Sequence, residues 1–346
     1  MRGKMKLLAA GIGDEQMERL AYVGKVVNVQ PIEGADRIVS ADVVCGKGGR
    51  WACVVPIGTQ VGDVGVAFLQ DCIVPQVPAL QFMEARKWRV SMSRFKGAPS
   101  EALWVSLDDL FTKYRDPNLI WDIGLDMSDF MDCTKYEKPI PASVGGDIMR
   151  AFPSFIPKTD ELNFQGSREL VDALRGHPWY ATVKMDGSSG TVYKWQGEFG
   201  VCSRNWELRE TEGNGFWQIA RRYNLRNKLP DGYAVQFELC GPGIQGNVLG
   251  LPKIDGFVFD IYHIIKRSYL SHSDMIGMAW ETLGMPVVPP WIQNEEFDLD
   301  DENLRLMAEV RLGGNTMEGM VVRSVDTDIY NGHRVSFKVI NLLYKG

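Results

Sequence analysis

From about Leu20 to Leu110 the apolar residues come in short runs that alternate with polar ones. Residues 23–29 alternate weakly and run out at Pro31, and Gly34-Ala35-Asp36 marks a turn. Residues 38–44, 51–55 and 64–69 are β-branched or aromatic runs divided by glycines. Such alternation, bounded by glycine and proline, predicts strands, and several short strands with turns between them predict a small barrel. From Asp116 to Ala142 the period fades, and Pro117, Pro139 and Pro141 predict a connector. Beyond it the patterns mix. Strand runs recur at residues 179–183, 191–193, 199–203, 233–239, 257–265, 319–322 and 335–340. Phe216, Ile219, Ala220 and Tyr223 fall on one helical face, stopped by Leu229-Pro230-Asp231-Gly232. Ser271 is placed to cap a second helix, with Met275, Met278, Ala279 and Leu283 on one face and Gly284 after it. Many strands with few helices predict an α+β chain.

Composition narrows the class. At 346 residues the chain is too long for one ordinary core, so two domains are expected. Its 45% hydrophobic and 24% charged residues describe a globular protein, and no apolar run is long enough to predict a membrane span. The start, Met1-Arg2-Gly3-Lys4, is followed by too short an apolar stretch to read as a signal peptide. Six scattered cysteines without a C-x-x-C, and four dispersed histidines, exclude a zinc motif and fit reduced thiols in a cytoplasm. The net charge of −6 argues against a broad non-specific coat of phosphate contacts, yet leaves room for a local basic channel. One such segment exists. Arg86, Lys87, Trp88, Arg89, Arg94, Phe95 and Lys96 interleave cations with aromatics, which suits phosphates and stacked bases as well as it suits a solvated face. For the strands around it the best candidate is the five-stranded oligonucleotide-binding (OB) barrel.

The chemistry points to Lys184-Met185-Asp186-Gly187-Ser188-Ser189. The pattern places a lysine at the mouth of a strand-turn-strand beside an acid, where turn amides can face a phosphate. A lysine becomes a nucleophile when desolvation or neighbouring cations lower its pKa, and Lys338 and Arg204 are candidates for those cations. Downstream, charged residues punctuate apolar strands: Arg204 in Ser203-Arg204-Asn205, then Glu238, Asp260, Glu318 and Lys338. Each alone is a common feature of a solvated strand face. An ionised group inside an apolar strand nonetheless needs a partner or a function, and five in this order after one K-x-D-G exceed chance.

The ordered set resembles the covalent nucleotidyltransferases, the superfamily of RNA ligases, DNA ligases and RNA capping enzymes. Lys184-Met185-Asp186-Gly187 is similar to motif I and Ser203-Arg204-Asn205 to motif Ia of RNA ligases. Phe237-Glu238-Leu239-Cys240-Gly241 is similar to motif III and Phe257-Val258-Phe259-Asp260-Ile261-Tyr262 to motif IIIa. Glu318-Gly319-Met320-Val321-Val322-Arg323 resembles motif IV and Ser336-Phe337-Lys338-Val339-Ile340-Asn341 motif V. Residues 152–161 and 241–247, and the connector around Thr134-Lys135-Tyr136, resemble ATP-dependent RNA ligases of the Naegleria and Deinococcus type, whose OB domain comes first. Two positions depart from the family pattern: Val183 stands where many relatives have glutamate, and Ile340 where many have a second lysine. Lys338 would then act alone or with Arg334 or Lys345. The pair Ser188-Ser189 replaces an asparagine of some branches.

That resemblance implies residues 1–115 as an OB-fold RNA-binding domain, 116–142 as a linker and 143–346 as a nucleotidyltransferase domain. The last would be an ATP-grasp-like adenylation domain of antiparallel sheets with flanking helices. It implies an ATP-dependent ligase that joins 3′-hydroxyl to 5′-phosphate RNA ends through lysyl-AMP and AMP-RNA, in RNA nick repair. Lys184, Lys338 and Arg204 would be catalytic. ATP would contact Lys184, Asp186, Gly187, Arg204, Glu238, Phe259, Glu318 and Lys338. Magnesium or manganese would be held by Asp186, Glu238 and Glu318. RNA would be gripped by Arg86, Lys87, Arg89, Arg94 and Lys96. The partner would be a nicked RNA duplex and the protein a monomer. Alternatives are a capping guanylyltransferase or DNA ligase, separable by GTP or ATP labelling, and a non-catalytic nucleic-acid-binding relic, which intact Lys184, Glu238, Glu318 and Lys338 disfavour.

Overall fold

The weak alternation after Leu20 becomes one long strand, β1 (Ala21–Pro31), whose Val23 and Val26 are fully buried. A register shift between Val26 and Asn28 bends it, so that β1 serves both its neighbours. With β2 (Ile38–Cys45), β3 (Gly49–Pro56), β4 (Val64–Phe68) and β5 (Leu103–Ser106) it forms a sheet of order β3-β2-β1-β4-β5. All the pairings are antiparallel. Ahead of β5, the Glu101 N–H donates to the Ala52 carbonyl on β3 at 2.7 Å, and the Ala52 N–H donates to the Glu101 carboxylate at 3.0 Å. These bonds bring the two ends of the sheet together, giving the OB-type barrel. The structure is a computed structural model and describes residues 19–46, 48–111, 121–136 and 147–344. Met1 to Lys4, Pro117, Pro139, Pro141 and Lys345 lie outside these residues.

The chain divides into two units, Met1–Lys138 and Pro139–Gly346. In the first, residues 121–136 of the expected connector are packed. Met127 and Met131 enter the barrel's core, Thr134–Lys135 pairs with Cys72–Ile73, and the Ser128 hydroxyl accepts from the Leu20 and Ala21 N–H groups.

Besides a short ribbon of Arg311–Leu312 with Asn315–Thr316, the second unit holds two larger antiparallel sheets. Their strands are β6 (Ile148–Ala151), β7 (Trp179–Lys184), β8 (Ser188–Trp195), β9 (Glu198–Ser203), β10 (Trp206–Leu208), β11 (Tyr233–Cys240), β12 (Asp255–His263), β13 (Ser268–Tyr269), β14 (Pro290–Asn294), β15 (Gly319–Ser324) and β16 (Ser336–Ile340). One sheet runs β6-β10-β9-β8-β11-β12-β13, the other β14-β7-β15-β16. The run around Lys184 is thus no hairpin. β7 pairs with β14 and β15, whereas β8 pairs with β9 and β11, so the K-x-D-G turn crosses from one sheet to the other.

The two anticipated helices form where their apolar faces predict them, and Arg168–Leu174 and Asp301–Met307 are further helices that were not anticipated. α1 (Gly215–Arg222) is capped by the Asn214 side chain and buries Phe216, Ile219 and Ala220 against the larger sheet. Ser271 caps His272–Gly277, whose path continues as a π-helical turn, Met278–Leu283, ended by Gly284 at φ 73°. No helix among the described residues is long and apolar enough to cross a membrane.

Candidate active site

Strand alternation sets the site. On β7, Trp179, Ala181 and Val183 enter the core of the smaller sheet, which turns Tyr180, Thr182 and Lys184 to the other face. Cross-strand register makes rows on that face: Tyr180 with Arg323, and Arg323 with Ser336; Thr182 with Val321, and Val321 with Lys338. Lys184 lies one row on, opposite Gly319. At Gly319 an added Cβ would come within 2.1 Å of the Val339 carbonyl, so only glycine lets β15 and β16 meet here. The preceding residue, Glu318, reaches back across the sheet, and its carboxylate lies 2.5 Å from Lys184 Nζ.

Two further acids face this pair. Glu238 projects from β11 on the face opposite Val235, Phe237 and Leu239, which are buried in the core. Asp186 sits in the crossing between the sheets. The crossing hugs β11 so closely that a Cβ on Gly187 would lie 2.5 Å from the Leu239 carbonyl. Lys184 is therefore ringed by carboxylates. Burial pulls its pKa down, but Glu318, then Glu238 and Asp186, outweigh that and hold it above the ordinary lysine value. The expectation that Lys338 and Arg204 depress it is corrected: the nearest charges are acids, and the Arg204 guanidinium is paired with Asp160. Glu238 responds the other way. Burial pushes its pKa up to about 8, opposed by Lys184 and reinforced by Glu318 and Asp186.

This last shift has a measurable sign. Between its ordinary 4.5 and about 8, the folded chain holds a Glu238 proton that the unfolded chain has lost. The group's contribution to stability therefore falls as pH rises through that window. Glu238→Gln is expected to flatten the decline of melting temperature from about pH 5 to 8, measured by calorimetry in EDTA. A slope equal to wild type would show that Glu238 does not titrate there.

Among the described residues no three histidine, cysteine or acidic side chains close up into a metal cage. The donors beside Lys184 are carboxylate oxygens only, which fits a hard divalent cation bound largely through water and phosphate.

Of the remaining expected residues, Phe259 lines a cavity of the second unit. Phe259 is the extra residue of a β-bulge: Gln236 pairs with Asp260 and Phe237 with Val258, leaving Phe259 without an opposite number. It borders a cavity of about 160 Å³ with Lys158, Asp160, Glu161, Gln236 and Arg334. Arg204 joins the rim through Asp160. Asp260, 3% exposed, holds Arg334 through two bonds of 2.8 and 2.6 Å, so Arg334 is not spare to assist Lys338. In the barrel, Arg89 is committed to Asp71 at 2.6 Å and stacks over Tyr136 at 3.7 Å. Arg94 donates to the Gly97 carbonyl and Lys96 to that of Gly34. Arg86, Lys87 and Lys96 are exposed, and Arg89 and Arg94 are half-buried.

The geometry agrees with comparisons to known proteins. A profile of the family described as RNA ligase matches residues 177–340. A solved structure of the Naegleria gruberi RNA ligase with PPi is 30% identical, has a TM-score of 0.77, and covers 94% of this chain and 97% of its own. The chain belongs to the RNA ligase family. A structure of a lysine-to-alanine mutant of the same Naegleria enzyme with ATP and Mn gives 29% identity and a TM-score of 0.78, over 93% of this chain and 97% of that one. No curated protein matches. As an RNA ligase the protein is an enzyme that forms phosphodiester bonds in RNA, which sets it apart from the capping and DNA-sealing branches.

Several interactions in this RNA ligase carry no sequence signal. Thr159 and Ser189 share a hydrogen bond at 2.5 Å, Gln245 donates to the Gly187 carbonyl at 3.2 Å, and the Tyr344 hydroxyl donates to Asp186 at 2.5 Å. Each joins segments far apart in the chain, so no local spacing announces it.

Proposed function

We propose that the protein seals RNA nicks, joining a 3′-hydroxyl to a 5′-phosphate in three displacements at phosphorus with ATP as the activating reagent. The observation that carries this reading is the Lys184 amine, half-buried at a sheet crossing and 2.5 Å from Glu318, with Glu238 and Asp186 around it. The Naegleria structures with ATP and Mn, with AMP and Mn, and with PPi hold the reagent and the fragments of such a first step. That supports ATP, and a divalent metal, as cofactors here.

In the first step the neutral Lys184 amine forms a bond to the α-phosphorus and pyrophosphate leaves, giving lysyl-AMP. In the second, a 5′-phosphate oxygen of the RNA takes the AMP and frees Lys184. In the third, the 3′-hydroxyl attacks that 5′-phosphate and AMP departs. Positioning and charge neutralisation supply most of such catalysis. Asp186, Glu238 and Glu318 would hold magnesium or manganese through water, and the bound cation would supply positive charge to offset the carboxylates and draw in phosphate. Lys184 loses its proton more readily once those carboxylates are neutralised, because they are what raises its pKa. Phe259 offers a ring face to adenine, and the Gly187 turn lies under the phosphates. Glu238 serves the ribose or a metal-bound water. Lys338 neutralises the α-phosphate from the row beside Lys184, and Arg204 leaves Asp160 for the nucleotide or the incoming 5′-phosphate.

The deciding experiment uses a nicked RNA duplex labelled at its 5′-phosphate. With ATP and magnesium the label is expected to become resistant to phosphatase, and with GTP it is not. Resistance that appears on nicked DNA alone would overturn the RNA assignment.

We assign residues 1–115 the gripping of the duplex, by a monomeric enzyme, through the exposed cations Arg86, Lys87 and Lys96, with Arg89 and Arg94 bracing them. The triple variant Arg86→Ala, Lys87→Ala, Lys96→Ala is expected to label with ATP at the wild-type rate. It is expected to bind nicked RNA more weakly, with a salt dependence shallower by about 0.9 for each phosphate that is no longer neutralised. Titration of binding against salt reads this. An unchanged slope removes the barrel from RNA binding.

A further inference from the structure

One segment that begins on the last residue of the motif V stretch and runs beyond it reaches the ring of acids, namely the turn that follows β16. Its first residue, Asn341, is 1% exposed and uses its polar groups in full. Its N–H donates to the Glu318 carbonyl at 2.9 Å, and its side-chain amide donates to the Met317 carbonyl at 3.0 Å. Its side-chain oxygen accepts from the Leu343 N–H at 2.9 Å, and its carbonyl accepts from the Tyr344 N–H at 3.1 Å. The closed turn delivers the Tyr344 hydroxyl to Asp186 Oδ2 at 2.5 Å. A carboxylate can only accept, so the phenol is the donor. One buried asparagine thus ties together the backbone of Glu318 and the residue that holds Asp186.

Asp186 needs such a hold. It lies in the crossing between the two sheets, outside any strand. An untethered carboxylate there is free to swing toward the Lys184 ammonium, where it would keep the nucleophile protonated and cease to face a cation. We propose that Tyr344 is a positioning residue: by donating to one oxygen of Asp186 it fixes the carboxylate so that the other oxygen serves the divalent ion beside Lys184. Asn341 keeps that orientation in register with Glu318. This rests on the reading of Asp186 as a holder of metal-bound water.

The test compares wild type, Tyr344→Phe, Asp186→Asn and the double variant, all full-length. Binding of Mn²⁺ together with α,β-methylene-ATP is followed by water-proton relaxation, and melting is followed in EDTA. Partners that orient metal ligands typically matter by 10–100-fold. Tyr344→Phe is therefore expected to melt like wild type in EDTA and to bind Mn²⁺ with the analogue roughly 10-fold more weakly. Its ATP labelling is expected to recover toward wild type at high Mn²⁺. In the Asp186→Asn background, Tyr344→Phe is expected to cause no further loss, because the hydroxyl acts only through Asp186. Wild-type binding by Tyr344→Phe overturns the proposal, as does a loss that adds in full to that of Asp186→Asn. A Tyr344→Phe protein that melts early or fails to fold overturns it too, since the hydroxyl would then serve the fold. If wild type itself binds no Mn²⁺ with the analogue and takes no label, the underlying reading falls and this one with it. If wild type does both and Tyr344→Phe matches it, this proposal alone fails.

Discussion

Lys184→Ala is expected to take no AMP from α-labelled ATP, a loss on the order of 10³-fold or more, as when other enzymes lose their nucleophile. Lys184 is the cation within the ring formed by Glu318, Glu238 and Asp186, and the cation on the neighbouring row, Lys338, projects from a different strand. The same variant is expected to keep much of its sealing of a strand supplied already adenylated, because the lysine's bond to AMP has been bypassed. Gel labelling and sealing assays on one preparation read both. Full labelling of Lys184→Ala would remove it as the nucleophile.

Asp260→Ala is expected to destabilise the second unit by about 3–5 kcal/mol, the usual cost of stripping one partner from a buried ion pair. Asp260 accepts two bonds from Arg334, whose side chain is only 6% exposed, and lies 3.6 Å from the Nε of Arg323. Removing the carboxylate leaves two buried guanidinium groups facing each other, with Glu161 as the remaining acid on Arg323. A melting temperature lower by roughly 10 °C is the expected reading in calorimetry. A fall of less than about 2 °C would mean that water or Glu161 replaces the missing charge. Loss of ligation by this variant would follow from the wall of the cavity beside Phe259 giving way, since Asp260 and Arg334 both line it.

Local patterns foretold much of this molecule. The strands β1 to β4, β7 to β9, β11, β12, β15 and β16 lie within a few residues of the predicted runs, whereas β10 had no run of its own. Both anticipated helices start at a side-chain cap and bury the apolar face that the spacing indicated. The sequence also picked out Lys184 at its turn, and after it Arg204, Glu238, Asp260, Glu318 and Lys338, as charged groups that must be paired or used. It could not sort them. Asp260 turned out to be matched by Arg334, and Arg89 by Asp71, whereas Glu238 is pushed toward protonation and Lys184 away from losing its proton.

Alternation, caps and turn residues act over a few neighbouring positions, so the chain by itself determined the elements and the order of its charged residues. Pairing between distant segments is a matter of register and packing, which only the tertiary structure decided. It split the run around Lys184 between two sheets, although the sequence reads there as a hairpin. It bulged Phe259 out of its ladder and put Glu318 against Lys184. It also brought Tyr344 to Asp186. The charge state of Lys184 follows from that assembly, because a pKa is set by whatever charges and burial surround the group, and none of those acids but Asp186 is its neighbour in the chain.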